Sequence, residues 1–252
     1  MLLWWVAVEA VWESARILAN SRLAVAFKGA GISAESGIPT FRGKDGLWSR
    51  FDPRDLATPE AFNRDPRLVW EWYSWRIERV LAAKPNKAHR LLARLEDSGV
   101  LKAVITQNVD GLHRRAGSRR VLELHGNVLR ARCTRCGSKL EWREKPSNLP
   151  PSCPRCGGVL RPDVVWFGEP LDTSILEEAF GLARRSDVMI IIGTSGAVDP
   201  AGLLPLAAKE SGATLINVNP EPNRYSGVAD IELRMRAVEF AERLSRALGI
   251  DV

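Results

Sequence analysis

The sequence predicts an α/β fold, in which a parallel sheet with helices on both faces is interrupted by two smaller insertions. Short apolar runs recur along the chain and are separated by segments in which apolar residues have helical spacing. Alternation of this kind is typical of parallel sheets, whose strands are connected by helices. Two further features, an aromatic-rich segment and four cysteines in two close pairs, mark the insertions.

The first element is a helix that includes residues 1–18. Residues 1–11 are apolar, but Glu9 interrupts them and the stretch does not start with basic residues, so the composition is not that of a secretion signal. The run is also too short to cross a bilayer. We interpret it as the apolar face of a helix that continues through Glu13 and Arg16. We therefore expect a cytoplasmic protein without membrane contact.

A strand over residues 23–27 leads into a glycine turn. Gly29-Ala-Gly31 follows the strand directly, and a glycine turn at this place lets backbone N–H groups approach a pyrophosphate. The spacing lacks the third glycine of the usual dinucleotide fingerprint, and many tight turns have the same letters. Alone, this turn is a weak indication of a nucleotide site.

Residues 44–79 form a helical insertion that is rich in aromatic residues. We expect Asp65-Pro66 to start a helix that contains Tyr73 and Arg76. These two residues stand three positions apart and therefore share one face of the helix. From the residues alone, Arg76 would be paired with Glu71 or with another acid on the surface.

Three further strands are predicted over residues 103–106, 188–192 and 214–218, with helices over residues 88–96, 175–183 and 200–209. Ligands bind beyond the carboxyl ends of parallel strands, so polar residues after each strand are candidate contacts. Ordinary turns, in which Asn and Asp bond their own backbone, are the alternative. The candidates are Gln107, Asn108 and Asp110 after the second strand, Gly193, Thr194 and Ser195 after the third, and Asn217 and Asn219 at the fourth.

His125 is one of three histidines and stands just before the cysteine region. A lone histidine is more often a packed residue than a catalyst. As a general base it would need a pKa near the working pH and a hydroxyl within reach.

Residues 127–161 contain all the cysteines, as Cys133-Thr-Arg-Cys136 and Cys153-Pro-Arg-Cys156. This spacing predicts one tetrahedral Zn²⁺ in a zinc-ribbon module. Four protein ligands leave no open position for an activated water, so the metal should be structural, and so small a module should need it to fold. Disulfides or a redox dithiol are the alternatives, although nothing in the sequence indicates secretion.

Taken together, these segments resemble the sirtuins, which are NAD-dependent protein-lysine deacylases. The blocks occur in family order and cover nearly the whole chain. They are residues 29–33 with Phe41 and Arg42, residues 106–113, His125-Gly126, the two cysteine pairs, and residues 164–169, 193–195 and 217–219.

The resemblance implies a Rossmann-like large domain that binds NAD across its strand ends. This domain would comprise residues 1–43, 80–126 and 162–252, and residues 44–79 and 127–161 would form the small domain. The implied NAD contacts are Gly29, Ala30, Gly31, Ile32, Ser33, Ala34, Glu35, Phe41, Arg42, Gln107, Asn108, Val109, Asp110, Gly193, Thr194, Ser195, Asn217, Asn219 and Ala237.

The resemblance also implies the reaction. The amide oxygen of an acyl-lysine displaces nicotinamide from the ribose, and His125 then takes a proton from a ribose hydroxyl. That hydroxyl attacks the imidate carbon, and water completes the release, so the products are nicotinamide, O-acyl-ADP-ribose and free lysine. Asn108 would help to hold the nicotinamide ribose and amide. An extended peptide would pair with the groove that is lined by Val164, Phe167, Gly168 and Glu169.

The pair Tyr73 and Arg76 resembles the Tyr-x-x-Arg pair of the sirtuin subgroup that accepts succinyl- and malonyl-lysine. In that subgroup the pair binds the acyl carboxylate, and a small residue, here Ala57, leaves room for it. Arginine suits this task because its guanidinium donates two parallel hydrogen bonds to a carboxylate. The family usually has Thr or Ser at the position of Lys28, which is expected either to lie near the NAD phosphates or to disturb the strand end.

The net charge of +6 is compatible with nucleic acid, acidic proteins or anionic cofactors as partners. The expected substrates are acylated proteins, with chromatin or DNA-associated proteins among them, and the chain is expected to be a monomer. Two alternatives stay open at this point. One is ADP-ribosyl transfer to protein from the same site, and the other is a zinc-ribbon module that binds chromatin or nucleic acid.

Overall fold

A six-stranded parallel sheet lies between two layers of helices in a computed structural model that describes residues 2–43 and 46–252, without the side chains of residues 2–7. The first residue of the predicted helical insertion, Lys44, lies outside the described residues. The helices are α1 (Leu2–Ala19), α2 (Pro53–Leu56), α3 (Pro59–Arg64), α4 (Pro66–Ala82), α5 (Lys87–Asp97), α6 (Leu112–Arg115), α7 (Thr173–Arg185), α8 (Leu204–Glu210) and α9 (Ala237–Leu248). The strands are β1 (Ala24–Lys28), β2 (Leu101–Thr106), β3 (Val121–Glu123), β4 (Gly126–Cys133), β5 (Lys139–Glu141), β6 (Leu160–Val164), β7 (Val188–Ile192), β8 (Thr214–Val218) and β9 (Ile231–Leu233).

The parallel sheet has the strand order β3-β2-β1-β7-β8-β9. The chain builds the sheet outward from β1 in one direction and then continues from β7 in the other. The connections that follow β1 and β7 leave on opposite faces of the sheet, and a crevice therefore opens between the loops that follow these two strands. This reversal is where an open α/β sheet binds its ligand, and it fixes the position of the cleft described below.

The two faces of β1 pack against different helices. Ala24 and Ala26 belong to a hydrophobic cluster that includes residues of α1, α5 and α9. Val25 and Phe27 belong to a second cluster with residues of α7 and α8. Strands covered on both faces are apolar throughout, which explains why the sequence predicts the four central strands correctly.

A second, antiparallel sheet has the strand order β5-β4-β6 and carries the four cysteines. Helix α4 packs on this sheet and contributes Trp70 and Ile77 to a third hydrophobic cluster that includes Val128 and Leu160. The indole N–H of Trp70 donates to the Leu160 carbonyl at 2.7 Å. The helical insertion and the cysteine module therefore share one core.

Helix α4 begins where the sequence predicts, because Asp65 caps it by accepting a hydrogen bond from the Leu68 amide at 2.9 Å. The predicted helix over residues 200–209 is instead a short 3-10 turn, Ala201–Leu203, followed by α8. Among the described helices, none combines the length and the apolar character that crossing a membrane requires.

Candidate active site

A cleft of about 810 Å³ lies at the carboxyl ends of β1, β2, β7 and β8 and extends to α4 and to the segment after β6. It brings together nearly all the residues singled out from the sequence. Those on its wall are Gly29, Ala30, Gly31, Ala34, Glu35, Phe41, Arg42, Ala57, Tyr73, Arg76, Gln107, Asn108, Val109, His125, Val164, Phe167, Gly168, Glu169, Gly193, Thr194, Ser195, Asn219 and Ala237.

The turns after β1 and β7 meet at the floor of the cleft. The Gly31 amide donates to the Gly193 carbonyl at 2.8 Å. A Cβ on Gly29 would lie 2.6 Å from the Thr194 Cβ, and one on Gly31 would lie 2.7 Å from the Gly193 Cα. Both glycines are therefore required by the contact between the two turns, since real Cβ atoms do not approach so closely.

A chain of buried hydrogen bonds runs behind the floor. Asn108 Nδ2 donates to Ser33 Oγ at 3.2 Å, and Ser33 Oγ donates to Asp110 Oδ2 at 2.7 Å. Burial raises the pKa of the Asp110 carboxyl. Ser33 and Asp110 do not line the main cleft, but together with Asn108 they border an adjoining cavity of about 20 Å³. Ser33 and Asp110 therefore fix the orientation of the Asn108 amide from the side away from the main cleft.

Ile32 and Asn217, two other residues expected at the NAD site, also lie off the main wall of the cleft. Ile32 is fully buried in the core. Asn217 Nδ2 donates to Asn223 Oδ1 at 2.9 Å, and Asn223 Nδ2 donates to the Thr194 carbonyl at 2.9 Å. Asn217 therefore supports the turn after β7 through Asn223.

His125 lies in the turn between β3 and β4, with its ring against the cleft. Its Nδ1 is 3.0 Å from the Gln107 carbonyl oxygen. A carbonyl only accepts, so Nδ1 carries the proton and Nε2 keeps a free lone pair. Burial lowers the pKa of His125, although the Gln107 carbonyl acts in the opposite direction. The imidazole is therefore neutral at neutral pH and can accept a proton at Nε2.

Arg76 projects from α4 into a box of aromatic rings. Its Cζ lies 4.8 Å from the ring centroid of Trp72, 5.0 Å from that of Phe41 and 5.4 Å from that of Tyr73. Burial lowers the pKa of Arg76, and cation–π contacts offset part of the lost hydration. Within the described part of the chain, Arg76 forms no ion pair, whereas Glu71 pairs with Arg67 at 3.1 Å. The surface pairing with Glu71 that the sequence alone favours is wrong.

The wall opposite the floor is formed by residues 164–169. The Phe167 amide donates to the Ala57 carbonyl at 2.9 Å, which joins this wall to the helical insertion. Glu169 accepts hydrogen bonds from both terminal nitrogens of Arg161, at 2.6 and 2.8 Å. Its carboxylate is thus already paired, while Phe167 remains 43% exposed and available for contact.

The four cysteine sulfurs lie within 4.8 Å of one another at the far end of the small sheet. Cys133 Sγ is 3.5 Å from Cys156 Sγ, and Cys136 Sγ is 3.8 Å from Cys153 Sγ. Four thiolates around Zn²⁺ have S–S distances of about 3.8 Å, since the Zn–S bond is about 2.3 Å. The donor set and its spacing therefore fit a tetrahedral zinc site, and none of the four cysteines lines the cleft.

Lys28 does not reach the cleft. Its side chain is fully buried, and its Nζ donates to the Ile190 carbonyl at 3.1 Å. Burial lowers the pKa of this amine far below its ordinary value. Strand β1 keeps its parallel register through Lys28, which pairs with Thr106 on one side and Ile192 on the other. The expectations that Lys28 lies near a phosphate or disturbs the strand end are both wrong.

Several cleft residues were missed from the sequence. Trp48 and Trp72 belong to the aromatic-rich insertion, which was a usable signal, and Trp166 lies inside the matching block of residues 164–169. Asp199 and Arg236 carried no signal, because neither belongs to a recognisable pattern. All five line the cleft.

Comparisons with known proteins point to one family. A family model described as the Sir2 family matches residues 29–200. A protein of Aeropyrum pernix named NAD-dependent protein deacylase is 98% identical over 245 residues, which are 97% of this chain and 100% of that protein. A solved complex of a Sir2 homolog with NAD has a TM-score of 0.88 and 50% identity, and covers 93% of each chain. A solved structure of Sir2 with a p53 peptide and NAD⁺ has a TM-score of 0.87 and 41% identity, and covers 95% of this chain and 98% of that chain.

Proposed function

This chain belongs to the Sir2 family and is an NAD-dependent protein deacylase, and from that premise we propose that it removes succinyl and malonyl groups as well as acetyl groups from protein lysines. We further propose that His125 is the general base and that the four cysteines hold a structural Zn²⁺. One observation carries the acyl specificity: Arg76 lines the cleft and forms no ion pair among the described residues, and the nearby buried Asp110 only partly offsets the lowering of its pKa by burial.

The surroundings of Arg76 support binding of an acyl carboxylate. A buried cation is costly unless it is paired, and Arg76 is only 9% exposed. Burial raises the pKa of Tyr73, so its hydroxyl remains protonated and can donate. The carboxylate of a succinyl or malonyl group would neutralise Arg76 and accept from Tyr73. Ala57, on the same cleft wall, leaves space for such a chain.

When bound, NAD supplies nicotinamide as the leaving group and ADP-ribose as the acyl acceptor. The turns at Gly29–Gly31 and Gly193–Ser195 form the floor on which we expect its phosphates and sugars to lie. Asn108, which donates to Ser33 while Ser33 donates to Asp110, would hydrogen-bond the nicotinamide ribose and amide. The role of these residues is to orient the ribose carbon toward the incoming amide oxygen, which is a poor nucleophile and reacts only when tightly positioned.

His125 supplies the proton acceptor in this scheme. With Nδ1–H donated to the Gln107 carbonyl, the free Nε2 would accept a proton from a ribose hydroxyl, which then attacks the acyl carbon. Val164, Phe167 and Gly168 would form the side of the groove along which an extended peptide pairs its backbone. We propose that Glu169 acts on this groove indirectly, by holding Arg161.

The test compares matched acetyl, succinyl and malonyl peptides with NAD. In Arg76→Ala we expect kcat/KM for the succinyl peptide to fall about tenfold to a hundredfold, because hydrogen bonds to a charged group contribute about 1.5–3 kcal/mol. Turnover of the acetyl peptide should be retained. The matched control is Arg67→Ala, which removes an arginine of the same helix that pairs with Glu71 at the surface.

Two outcomes would count against this acyl specificity. One is a wild-type protein without succinyl or malonyl turnover, and the other is an Arg76→Ala variant with unchanged succinyl turnover. Nicotinamide release must also depend on the acyl peptide. Release without peptide, with ADP-ribose left on protein, would instead favour ADP-ribosyl transfer.

A further inference from the structure

Trp166 makes a buried hydrogen bond to Tyr73, one of the two residues of the acyl-carboxylate site proposed above. Its indole Nε1 donates to Tyr73 Oη at 2.9 Å, and both side chains are almost fully buried. Both also line the cleft. Trp166 lies just after β6 and therefore belongs to the wall opposite the cleft floor. This contact connects that wall directly to α4.

The direction of this hydrogen bond determines what Tyr73 can offer to a ligand. An indole N–H only donates, so Tyr73 Oη must act as the acceptor toward Trp166. The phenolic proton must then point away from Trp166. The other polar group beside the ring is Arg76, which also only donates. Among residues 2–43 and 46–252 no protein acceptor binds the Tyr73 proton, which leaves it available to a ligand in the cleft.

Several contacts fix the indole in this orientation. The Arg161 Cζ lies 3.6 Å from the centroid of the Trp166 ring, so the guanidinium stacks on its face. Arg161 is held in turn by its ion pair with Glu169, and Glu169 also accepts from the Trp166 amide at 2.9 Å. On another side, the ring of Phe62 lies 5.2 Å from that of Trp166. Because the indole is held in this orientation, Trp166 can keep Tyr73 Oη as the acceptor of their hydrogen bond.

We propose that Trp166 is a specificity-determining positioning residue, which sets Tyr73 as a hydrogen-bond donor toward the carboxylate of a succinyl- or malonyl-lysine. The inference rests on the proposed function of the Tyr73 and Arg76 site. Acetyl-lysine has no carboxylate to accept the Tyr73 proton. Loss of the Trp166 N–H should therefore cost more for charged acyl groups than for acetyl groups, whereas a residue that merely packs would affect both alike.

The first test is Trp166→Phe, which keeps an aromatic ring and removes the N–H. We expect kcat/KM for the succinyl peptide to fall about three- to tenfold, chiefly through KM, because a neutral hydrogen bond contributes about 0.5–1.5 kcal/mol. Because Trp166 also lines the cleft, the diagnostic quantity is the ratio of succinyl to acetyl kcat/KM, which should fall. The same loss is expected with β-(3-benzothienyl)alanine at position 166, which keeps the bicyclic ring and covers the case in which the Phe variant does not fold.

The matched control is Trp142→Phe. Trp142 belongs to the same small domain and packs edge-on against Trp70, with ring centroids 5.9 Å apart. Its buried Nε1 has no hydrogen-bond partner in the described structure. The same substitution at Trp142 therefore removes an N–H without removing a hydrogen bond, and the ratio of succinyl to acetyl turnover should not change.

A double-mutant cycle with Tyr73→Phe identifies the route of the effect. If Trp166 acts through the Tyr73 hydroxyl, then Trp166→Phe should cause no further selective loss in the Tyr73→Phe background. A selective loss that persists there would overturn the inference, and so would equal losses for both peptides in the isosteric variant. If Arg76→Ala is selective and the position 166 variants are not, this inference alone fails and the proposed function stands.

Discussion

At the scale of single residues, His125 is the proton acceptor that we propose for the cleft. Its carbonyl partner sets which ring nitrogen is free, and its burial lowers the pKa below the ordinary value of 6.5. A lowered pKa means that the neutral form persists to lower pH. The basic form should therefore be the majority form at pH 6.5.

We accordingly expect the acid limb of kcat/KM for acyl peptides to have its midpoint below pH 6.5, the ordinary imidazole value. Steady-state rates measured on both sides of this pH, at saturating NAD, would check the midpoint of the acid limb. A midpoint at or above 6.5 would contradict the role of a buried neutral His125 as the base.

Residue identity could be predicted better than residue environment. Asn108, His125 and Arg76 were singled out from the sequence, and all three line the cleft. The sequence could not show that Arg76 is buried without an ion pair, although helix spacing does favour the pair that forms, since Arg67 stands four residues before Glu71 and Arg76 stands five residues after it. Nor could it show that Lys28 is buried, since a lysine after an apolar run reads as the start of a loop.

At the scale of elements, helix α4 and the cysteine module depend on each other. Cys133 and Cys153 belong to the same hydrophobic cluster as Trp70 and Tyr73. A metal that holds the four sulfurs together would therefore also support the helix that carries the proposed acyl-carboxylate site. This dependence gives the proposed structural zinc a measurable effect on activity.

Removal of zinc with a strong chelator should abolish turnover of acetyl and succinyl peptides alike, because the core shared by α4 and the small sheet loses its packing. Zinc release, loss of near-ultraviolet circular dichroism and loss of rate should follow the same time course. Cobalt in place of zinc should leave kcat/KM within about twofold, since a metal with four protein ligands has no open position. A large rate change with cobalt would contradict the structural role.

Secondary-structure elements could be predicted best where burial on both faces makes their sequence continuously apolar. The four central strands are covered on both faces and appear as continuous apolar runs. Strands β3 and β9 lie at the edges and have three residues each, so they were missed. The core shared by α4 and the small sheet depends on contacts between distant segments, which periodicity does not reveal.

At the scale of the whole molecule, the buried amine of Lys28 should affect stability rather than catalysis. Its pKa is lowered in the folded protein by burial, from an ordinary value of 10.5. Below pH 10.5 the unfolded chain therefore binds more protons at this residue than the folded protein does. Stability then rises with pH in this window, up to the ordinary lysine value.

Lys28→Met should raise the free energy of unfolding, and the gain should shrink as the pH rises from about 7.5 to about 9.5. Denaturant unfolding at both pH values would measure this difference. Burial also lowers the pKa values of His89 and His113, but both titrate at or below 6.5 and do not interfere. Lys102→Met, at an exposed lysine, is the control. A gain that does not change with pH would contradict this account.

The contact between Gly31 and Gly193 also determines where this cleft can be redesigned. The floor has no room for a larger side chain, because even a methyl group on Gly29 or Gly31 would collide with the opposite turn. The wall at Ala57 already carries a side chain and faces the cleft. Directed evolution toward longer or bulkier acyl chains should therefore accumulate its substitutions along α4, Ala57 and the segment after β6, and leave the two glycine turns unchanged.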